Sequence, residues 1–214
     1  MLRTNFQIFK NRAICAAVLV LLGVHSVKTQ ATDETPQSAV KVVESFQRHL
    51  LDAMKQGDEM NFENRFKFLD KIVRSTHAAP KISEIVLGRK HWKNLTEEQR
   101  KEFIEVFTRL NIATYAHHFK SYSGESFEFI SKQKTRRGNM LVRTVFVESN
   151  GNEVQFDYLM IKTDGRWLII NIKADGVSDL AVKRAEYTNA LKLEGFDALL
   201  EKLKNKTLKY TKAG

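Results

Sequence analysis

The chain has 214 residues, a formal net charge of +10 and 43% hydrophobic residues. This length suits one domain whose core needs no disulfide support. The single cysteine, Cys15, lies in an N-terminal apolar run, so the remainder has neither a disulfide nor a thiol nucleophile. The basic residues are scattered, apart from a cluster at 132–137 and a Lys-rich C-terminus, which argues against nucleic-acid binding. We expect the cluster at 132–137 to face either an anionic membrane surface or plain solvent.

The N-terminus has the pattern of a secretory signal peptide. Basic residues and no acidic ones precede the uncharged apolar run 13–24. Because that run is shorter than the roughly 20 residues that span a bilayer, an uncleaved anchor is the weaker alternative. We predict a signal peptide over residues 1–31, cleaved after Ala31 or alternatively after Ser26, and a single domain over residues 32–214.

Apolar residues at helical spacing run through the first part of this domain. Thr35 and Pro36 have the pattern of an N-cap followed by a first-turn proline, and the helix that they begin is expected to end near Gly57. A second helix is predicted to start at Phe62 and to stop before Pro80.

A short helix over 82–87 and a long amphipathic helix follow. Gly88 ends the short one, and Thr96 with Gln99 forms a capping box at the start of the long one. The long helix is predicted to continue to the Ser123-Gly124 pair.

The spacing then changes to the alternation that is typical of β-strands. Strands are predicted around Phe127 and Phe129 and over 140–147, 154–161 and 167–173, and helices over 178–191 and 196–203. Helices, a four-stranded antiparallel meander and further helices indicate an α+β fold.

Two hairpin turns determine the expected register of this meander. Asn150-Gly151 and Asp164-Gly165 are predicted to be two-residue turns of type I′. The resulting pairs are Val145 with Phe156, Arg143 with Tyr158, Met160 with Ile169, and Tyr158 with Asn171. One face of the sheet is then apolar enough to line a cavity, and a solid core is the alternative.

A series of short motifs extends along residues 40–206. They are Leu87-Gly88-Arg89 with Trp92, Thr96-x-x-Gln99, Phe103, Phe107 and Tyr115, then Val142-Arg143-Thr144, Asp157-Tyr158, Asp164-Gly165-x-Trp167 and Gly176-Val177-Ser178, and finally Gly195-Phe196-Asp197. In this order and spacing they resemble the MlaC / toluene-tolerance family. Asp179-Leu180-Ala181 and Arg184-Ala185-Glu186-Tyr187 resemble the hopanoid-associated HpnM branch of that family.

The resemblance implies a periplasmic carrier that encloses phospholipid acyl chains in an apolar cavity and shuttles lipid between the two membranes of Gram-negative bacteria. It implies an α+β fold in which helices wrap a curved antiparallel sheet, as in the nuclear-transport-factor (NTF2-like) and cystatin-like rolls. It also implies two partners, an inner-membrane ABC transporter complex and an outer-membrane lipoprotein complex. The ligand would be a phospholipid or a hopanoid, and no cofactor is implied.

The predicted lipid-binding residues come from the long helix and from the apolar face of the sheet. They are Phe103, Phe107, Tyr115, Val145, Phe156, Tyr158, Met160, Trp167 and Ile169. Two acyl chains carry on the order of 30 methylenes, each worth about 0.8 kcal/mol on burial. We therefore expect a cavity near or above the top of the usual range of about 300–1,000 Å³.

Arg143 is the predicted headgroup residue. The expected register places it in a row with Tyr158 and Asn171, where the family often has an acid instead of the asparagine. A buried guanidinium without a carboxylate partner is very costly, and its geometry suits a phosphate. The alternative is that Arg143 reaches solvent or a nearby glutamate.

The sequence contains no motif of a hydrolase triad, a zinc protease, a phosphate-binding loop or a dinucleotide site. His117 and His118 are adjacent, so on a helix they diverge by about 100° and do not face one metal. We predict no catalytic residue, no metal and no enzymatic activity. Two alternatives stay open. The first is an NTF2-like-roll enzyme that acts on a small apolar substrate, with Asp157 or the row of Arg143, Tyr158 and Asn171 in its pocket. The second is an adaptor of a membrane lipid-transport complex that carries no lipid.

Overall fold

The structure, a computed structural model, describes residues 38–213. The predicted signal peptide and the predicted helix start at Thr35-Pro36 lie outside the described residues. The helices are α1 (Ala39–Gln56), α2 (Phe62–Thr76), α3 (Ala79–Leu87), α4 (Arg89–Asn94), α5 (Glu97–His118), α6 (Asp179–Leu193) and α7 (Phe196–Ala213). The strands are β1 (Ser126–Lys134), β2 (Met140–Val147), β3 (Glu153–Thr163), β4 (Arg166–Ala174) and β5 (Val177–Ser178).

Within residues 38–213 the strands form one antiparallel sheet in the order in which they occur along the chain. Helices before and after this meander confirm the predicted α+β fold. The sheet has one strand more than predicted, because the tight turn at Asp175-Gly176 pairs Ala174 with Val177. None of the described helices is long and apolar enough to cross a membrane.

Side-chain caps mark the start of several helices, among them α1, α5 and α6. The predicted capping box is confirmed: the Gln99 amide donates to the Thr96 hydroxyl at 3.2 Å, and the Thr96 amide donates to the Gln99 side chain at 2.9 Å. Ser38 and Ser178 cap α1 and α6 by accepting a backbone amide of the first turn. Each cap satisfies a helix-end donor that has no partner inside the helix.

Helix bounds differ from the prediction where apolar spacing was a poor guide. Helix α4 was not predicted, because Trp92 is its only large apolar residue and no period is visible. Helix α5 ends at His118, before the predicted stop at Ser123-Gly124. Helix α7 continues to Ala213 instead of ending at Leu203, and Tyr210 in its last turns packs against both core clusters.

The predicted two-residue turn between β2 and β3 is wrong. The Glu148 amide donates to the Asn152 carbonyl at 2.8 Å, and the Gly151 amide donates to the Glu148 carbonyl at 2.9 Å, so the loop has three residues, 149–151. Gly151 has a φ of 84°, which glycine adopts without strain at the last position of such loops.

The additional loop residue shifts the register by one, which turns every side chain of β2 to the other face. Thr144 now lies opposite Phe156, and Val142 lies opposite Tyr158. Their side chains share the inner face of the sheet, the face that packs against α1. Arg143 and Val145 lie on the outer face, so their predicted pairing with Tyr158 and Phe156 is wrong.

The predicted turn between β3 and β4 has its expected form. Asp164 and Gly165 have φ values of 50° and 78°, as type I′ requires, and Met160 pairs with Ile169. A bulge then shifts the pairing by one residue, so Tyr158 lies opposite Ile172 and not opposite Asn171 as predicted. The predicted row of Arg143, Tyr158 and Asn171 does not exist.

Two hydrophobic core clusters pack on the two halves of α5. The first joins α1, α2 and the C-terminal half of α5 to the inner face of the sheet; its large members include Phe46, Leu50, Leu69, Ile112, Tyr158, Met160 and Ile169. The second joins α3, the N-terminal half of α5, α6 and α7; its large members include Leu87, Phe103, Phe107, Leu110, Tyr187 and Leu203.

A buried polar contact fastens α1 to the inner face of the sheet. The Gln47 amide nitrogen donates to the Thr144 hydroxyl at 2.8 Å and to the Tyr158 hydroxyl at 3.2 Å. All three side chains are buried. Polar groups taken out of water need such partners, so this contact ties the position of α1 to the register of β2 and β3.

Replacement of Gln47 with Leu is expected to lower the free energy of unfolding by about 1–3 kcal/mol, because two buried hydroxyls lose their donor. Urea denaturation measures this change. Gln56→Leu, at the exposed C-terminal end of the same helix, is the matched control and should change stability by less than about 0.5 kcal/mol. Equal effects of the two substitutions would contradict the structural role of Gln47.

Candidate functional site

A cavity of about 470 Å³ lies between the inner face of the sheet and the helices α1, α5 and α6. Its volume is inside the usual range of about 300–1,000 Å³ for ligand sites, and it is smaller than the sequence predicted. It is lined by Phe46, Leu50, Asn111, Thr114, Tyr115, His118, Phe119, Phe127, Phe156, Tyr158, Ile172, Ala174, Val177, Asp179, Val182 and Lys183.

Aromatic rings form much of the cavity wall. Phe127 and Phe146, on neighbouring strands, have ring centroids 4.8 Å apart, and Phe156 lies 6.1 Å from Phe127. Phe46 of α1 meets Tyr115 of α5 edge to face at 5.2 Å. These contacts hold large rings in fixed positions at the cavity.

Part of the rim of the cavity is also apolar. Val177 of β5 is 62% exposed and Val182 of α6 is 55% exposed, although both line the cavity. A second, more polar cavity of about 280 Å³ adjoins the first, because His118 and Phe119 line both. The site therefore combines a mostly apolar interior with an opening to the surface.

One lysine stands in this apolar wall. The Lys183 ammonium donates to the Asn111 side-chain oxygen at 2.8 Å and to an Asp179 carboxylate oxygen at 2.6 Å. It also lies 5.6 Å from the centroid of the Phe107 ring. The Lys183 side chain is 17% exposed and that of Asp179 is 63% exposed, so the ion pair runs from the wall to the rim.

Titratable groups deeper in the site are neutral near pH 7. Burial and then the nearby charge of Lys183 lower the pKa of His77 to about 4. The Tyr115 hydroxyl lies 3.3 Å from the His77 ring nitrogen Nε2, and burial raises the pKa of Tyr115 above its ordinary value. Burial also raises the pKa of Tyr158. None of these three side chains therefore offers a charged acid or base near pH 7.

Two comparisons with known proteins agree with this architecture. The model of the MlaC protein family matches residues 44–205, which is most of the chain. This chain belongs to the MlaC family.

A solved structure has the same fold. It is a phospholipid-binding protein from Ralstonia solanacearum in complex with a phospholipid, with 20% sequence identity and a TM-score of 0.71. The match covers 81% of this chain and 98% of that one. At this identity the likeness establishes the fold alone, so this chain shares the fold of that protein.

Three of the nine predicted lipid-binding residues line the main cavity of this MlaC family member: Tyr115, Phe156 and Tyr158. Met160 and Ile169 share the inner face with them but are buried in the first core cluster, and Trp167 is half-buried against that cluster. Lipid binding by these nine residues stays a prediction.

The other three predicted residues lie elsewhere. Phe103 and Phe107 stack at 5.7 Å and meet Tyr187 edge to face in the second core cluster, and neither lines the main cavity. Val145 lies on the outer face of the sheet because of the register change. Sequence spacing put them on the correct helix or strand but not on the cavity side.

Arg143 also lies on the outer face. Its guanidinium donates to the Asp157 carboxylate at 2.9 Å, so the partner is an aspartate on the neighbouring strand. The predicted headgroup candidate therefore does not reach the cavity. Asn171, its other expected neighbour, accepts a hydrogen bond from the Ser178 hydroxyl at 3.1 Å.

Several cavity residues were missed from the sequence. Phe46 and Leu50 are part of a visible helical stripe, but that stripe alone does not say whether it faces a cavity or a solid core. Lys183 carries no sequence signal at all, because it is one of many lysines and only the approach of α6 to α5 brings it beside Asn111.

The basic cluster at 132–137 is exposed at the far end of β1 from the cavity residue Phe127. The hairpin between β3 and β4 brings exposed Lys162 and Arg166 to the same end of the sheet. A role of this basic surface at a membrane stays a prediction.

Acid should destabilise the protein through His77. Its pKa is lowered on folding, so the unfolded chain binds the proton more tightly, and stability is lost as the pH falls from about 6.5 towards 4. Between pH 7.5 and pH 5 we expect a loss of about 2 kcal/mol from this residue. In His77→Gln, the free energy of unfolding should therefore fall by about 2 kcal/mol less than in the wild type between these two pH values. Urea denaturation at both pH values measures the difference. The control His91→Gln should keep the full pH dependence.

Proposed function

We propose that this MlaC family member is a lipid carrier that encloses the acyl chains of a phospholipid in the cavity beneath its sheet. The observation that carries the proposal is the apolar, partly open cavity lined by aromatic rings from α1, α5 and the inner face. Family membership and the phospholipid-bound Ralstonia solanacearum structure support phospholipid as the ligand class.

The cavity lowers the free-energy cost of moving acyl chains through water. Each methylene costs about 0.8 kcal/mol to leave in water, so free diffusion of a two-chain lipid is prohibitive. A volume of about 470 Å³ shelters part of such a lipid, and the adjoining cavity of about 280 Å³ extends the sheltered path past Phe119. Tight binding is not required, because net transfer needs only a difference in affinity between donor and acceptor.

The setting that we propose is the periplasm, with the leader over residues 1–31 removed after export. There the protein would take lipid from one membrane and deliver it to the other, with an inner-membrane ABC transporter complex and an outer-membrane lipoprotein complex as partners. A hopanoid is the alternative cargo if the chain belongs to the HpnM branch, since both ligands combine an apolar body with a polar end.

The enzyme alternative needs a catalytic carboxylate in the cavity, and the candidate for it lies elsewhere. Asp157, the carboxylate considered for it, lies on the outer face and is paired with Arg143. Inside the site, His77 and Tyr115 are neutral and contact each other. Among the described residues, no group of three or more His, Cys, Asp or Glu side chains is placed to hold a metal ion. We therefore propose binding and transport, not catalysis.

A pair of substitutions on opposite faces of the sheet tests the carrier proposal. Phe156→Glu places a carboxylate in the cavity wall and should reduce bound lipid at least tenfold, because a charge in an apolar site excludes the chains. Val145→Glu places the same charge on the outer face and should leave lipid binding unchanged. The full chain is expressed with its leader in a Gram-negative host, purified without detergent, and compared by native and denaturing mass spectrometry.

The wild type is expected to carry the mass of one or two phospholipids, which denaturation releases. Circular dichroism establishes that both variants are folded. A wild-type protein with only its polypeptide mass would contradict the proposal and favour the adaptor alternative. Full lipid occupancy in folded Phe156→Glu would show that the chains bind somewhere other than this cavity.

A further inference from the structure

The mostly apolar cavity wall contains an ion pair, Lys183 with Asp179. Among the described residues that line the main cavity, Lys183 is the only lysine or arginine. Its side chain is largely buried, and two hydrogen bonds hold its ammonium at the junction of α5 and α6. A fixed cation at the edge of an apolar cavity is suited to hold the anionic part of an amphiphilic ligand.

Lys183 has hydrogen-bonding capacity left for such a ligand. An ammonium group has three donors, and within residues 38–213 it donates to two oxygen atoms, one of Asn111 and one of Asp179. The third N–H remains for an oxygen of a bound molecule. A hydrogen bond between two charged groups in this partly dry setting is stronger than a neutral one, which favours a phosphate oxygen.

Asp179 provides the opposite charge on the solvent side of the same site. Its carboxylate lines the cavity and is 63% exposed, while one of its oxygens accepts from Lys183. A carboxylate accepts up to about four hydrogen bonds, so it has room for a cationic donor from the ligand. The wall-to-rim direction of the pair matches a ligand with its phosphate inside and its ammonium outside.

From this arrangement we infer that the cavity mouth selects zwitterionic phospholipids, with the phosphate bound by Lys183 and the headgroup ammonium bound by Asp179. The inference rests on the proposed carrier function and adds the headgroup class to it. Because Lys183 and Asp179 together are neutral, a zwitterion matches both charges. A lipid with only a phosphate charge gives Asp179 no cationic partner besides Lys183, and a lipid without phosphate gives the third N–H of Lys183 no anionic acceptor.

Competition among three lipids with identical acyl chains tests the inference. The purified full-length protein is incubated with vesicles that contain equal parts of phosphatidylethanolamine, phosphatidylglycerol and diacylglycerol, and the lipids that it takes up are quantified by mass spectrometry. The wild type is expected to enrich phosphatidylethanolamine over both competitors.

Each half of the pair has its own variant and readout. Lys183→Met should lower the ratio of phospholipid to diacylglycerol about tenfold, because the phosphate loses a charged hydrogen bond. Asp179→Asn should lower the ratio of phosphatidylethanolamine to phosphatidylglycerol several-fold while keeping the total load. Lys183→Arg retains the cation and should retain the phospholipid preference, which separates charge from packing at this position.

Matched controls lie on the exposed surface of the same helix. Lys192→Met and Glu186→Gln remove the same charges outside the cavity and should change neither ratio. Wild-type uptake in the proportions of the vesicles, unchanged ratios in the Lys183→Met and Asp179→Asn variants, or equal shifts in the controls would overturn the inference. So would the loss of all three lipids together in a folded Lys183→Met variant.

A failure of the headgroup inference is distinguishable from a failure of the carrier proposal. If the wild type takes up none of the three lipids, the carrier function itself is wrong. If it takes up lipid that Phe156→Glu cannot hold, but without headgroup preference, the carrier function stands and the headgroup inference fails.

Discussion

The register between β2 and β3 is the constraint on which the rest of the structure depends. It places Thr144 next to Tyr158 on the inner face, where Gln47 of α1 bonds both hydroxyls. Because α1 also provides cavity residues, the register that positions this helix also shapes the cavity wall. A shift by one residue would turn Arg143 towards α1 and away from Asp157, and an unpaired buried guanidinium is strongly destabilising.

Helix α5 divides the molecule into a closed part and an open part. Its N-terminal half packs Phe103 and Phe107 against α6 and α7 in a core without room for a large ligand. Its C-terminal half presents Tyr115 and Phe119 to the sheet, where the cavity remains. The closed part stabilises the fold by burying apolar surface, so the open part can leave apolar surface uncovered for a ligand.

An ion pair on the sheet and an ion pair on α6 lie in different environments. Arg143 and Asp157 neutralise each other across neighbouring strands on the outer face, where they contribute little to ligand binding. Lys183 and Asp179 lie at the cavity and keep unused hydrogen-bonding capacity. Both carboxylates stand in the sequence as ordinary acidic residues. Only their positions in the fold distinguish a structural ion pair from one that is able to meet a ligand.

The sequence by itself determined the α+β class, the capping box at Thr96, the turn at Asp164-Gly165 and the family, because these depend on local spacing and on motif order. It did not determine which residues line the cavity. The sequence that ends at Gly151 is compatible with a loop of two or three residues. The one additional residue turns the side chains of β2 to the opposite face. The approach of Lys183 to Asn111 joins residues 72 positions apart, so only tertiary packing decided it.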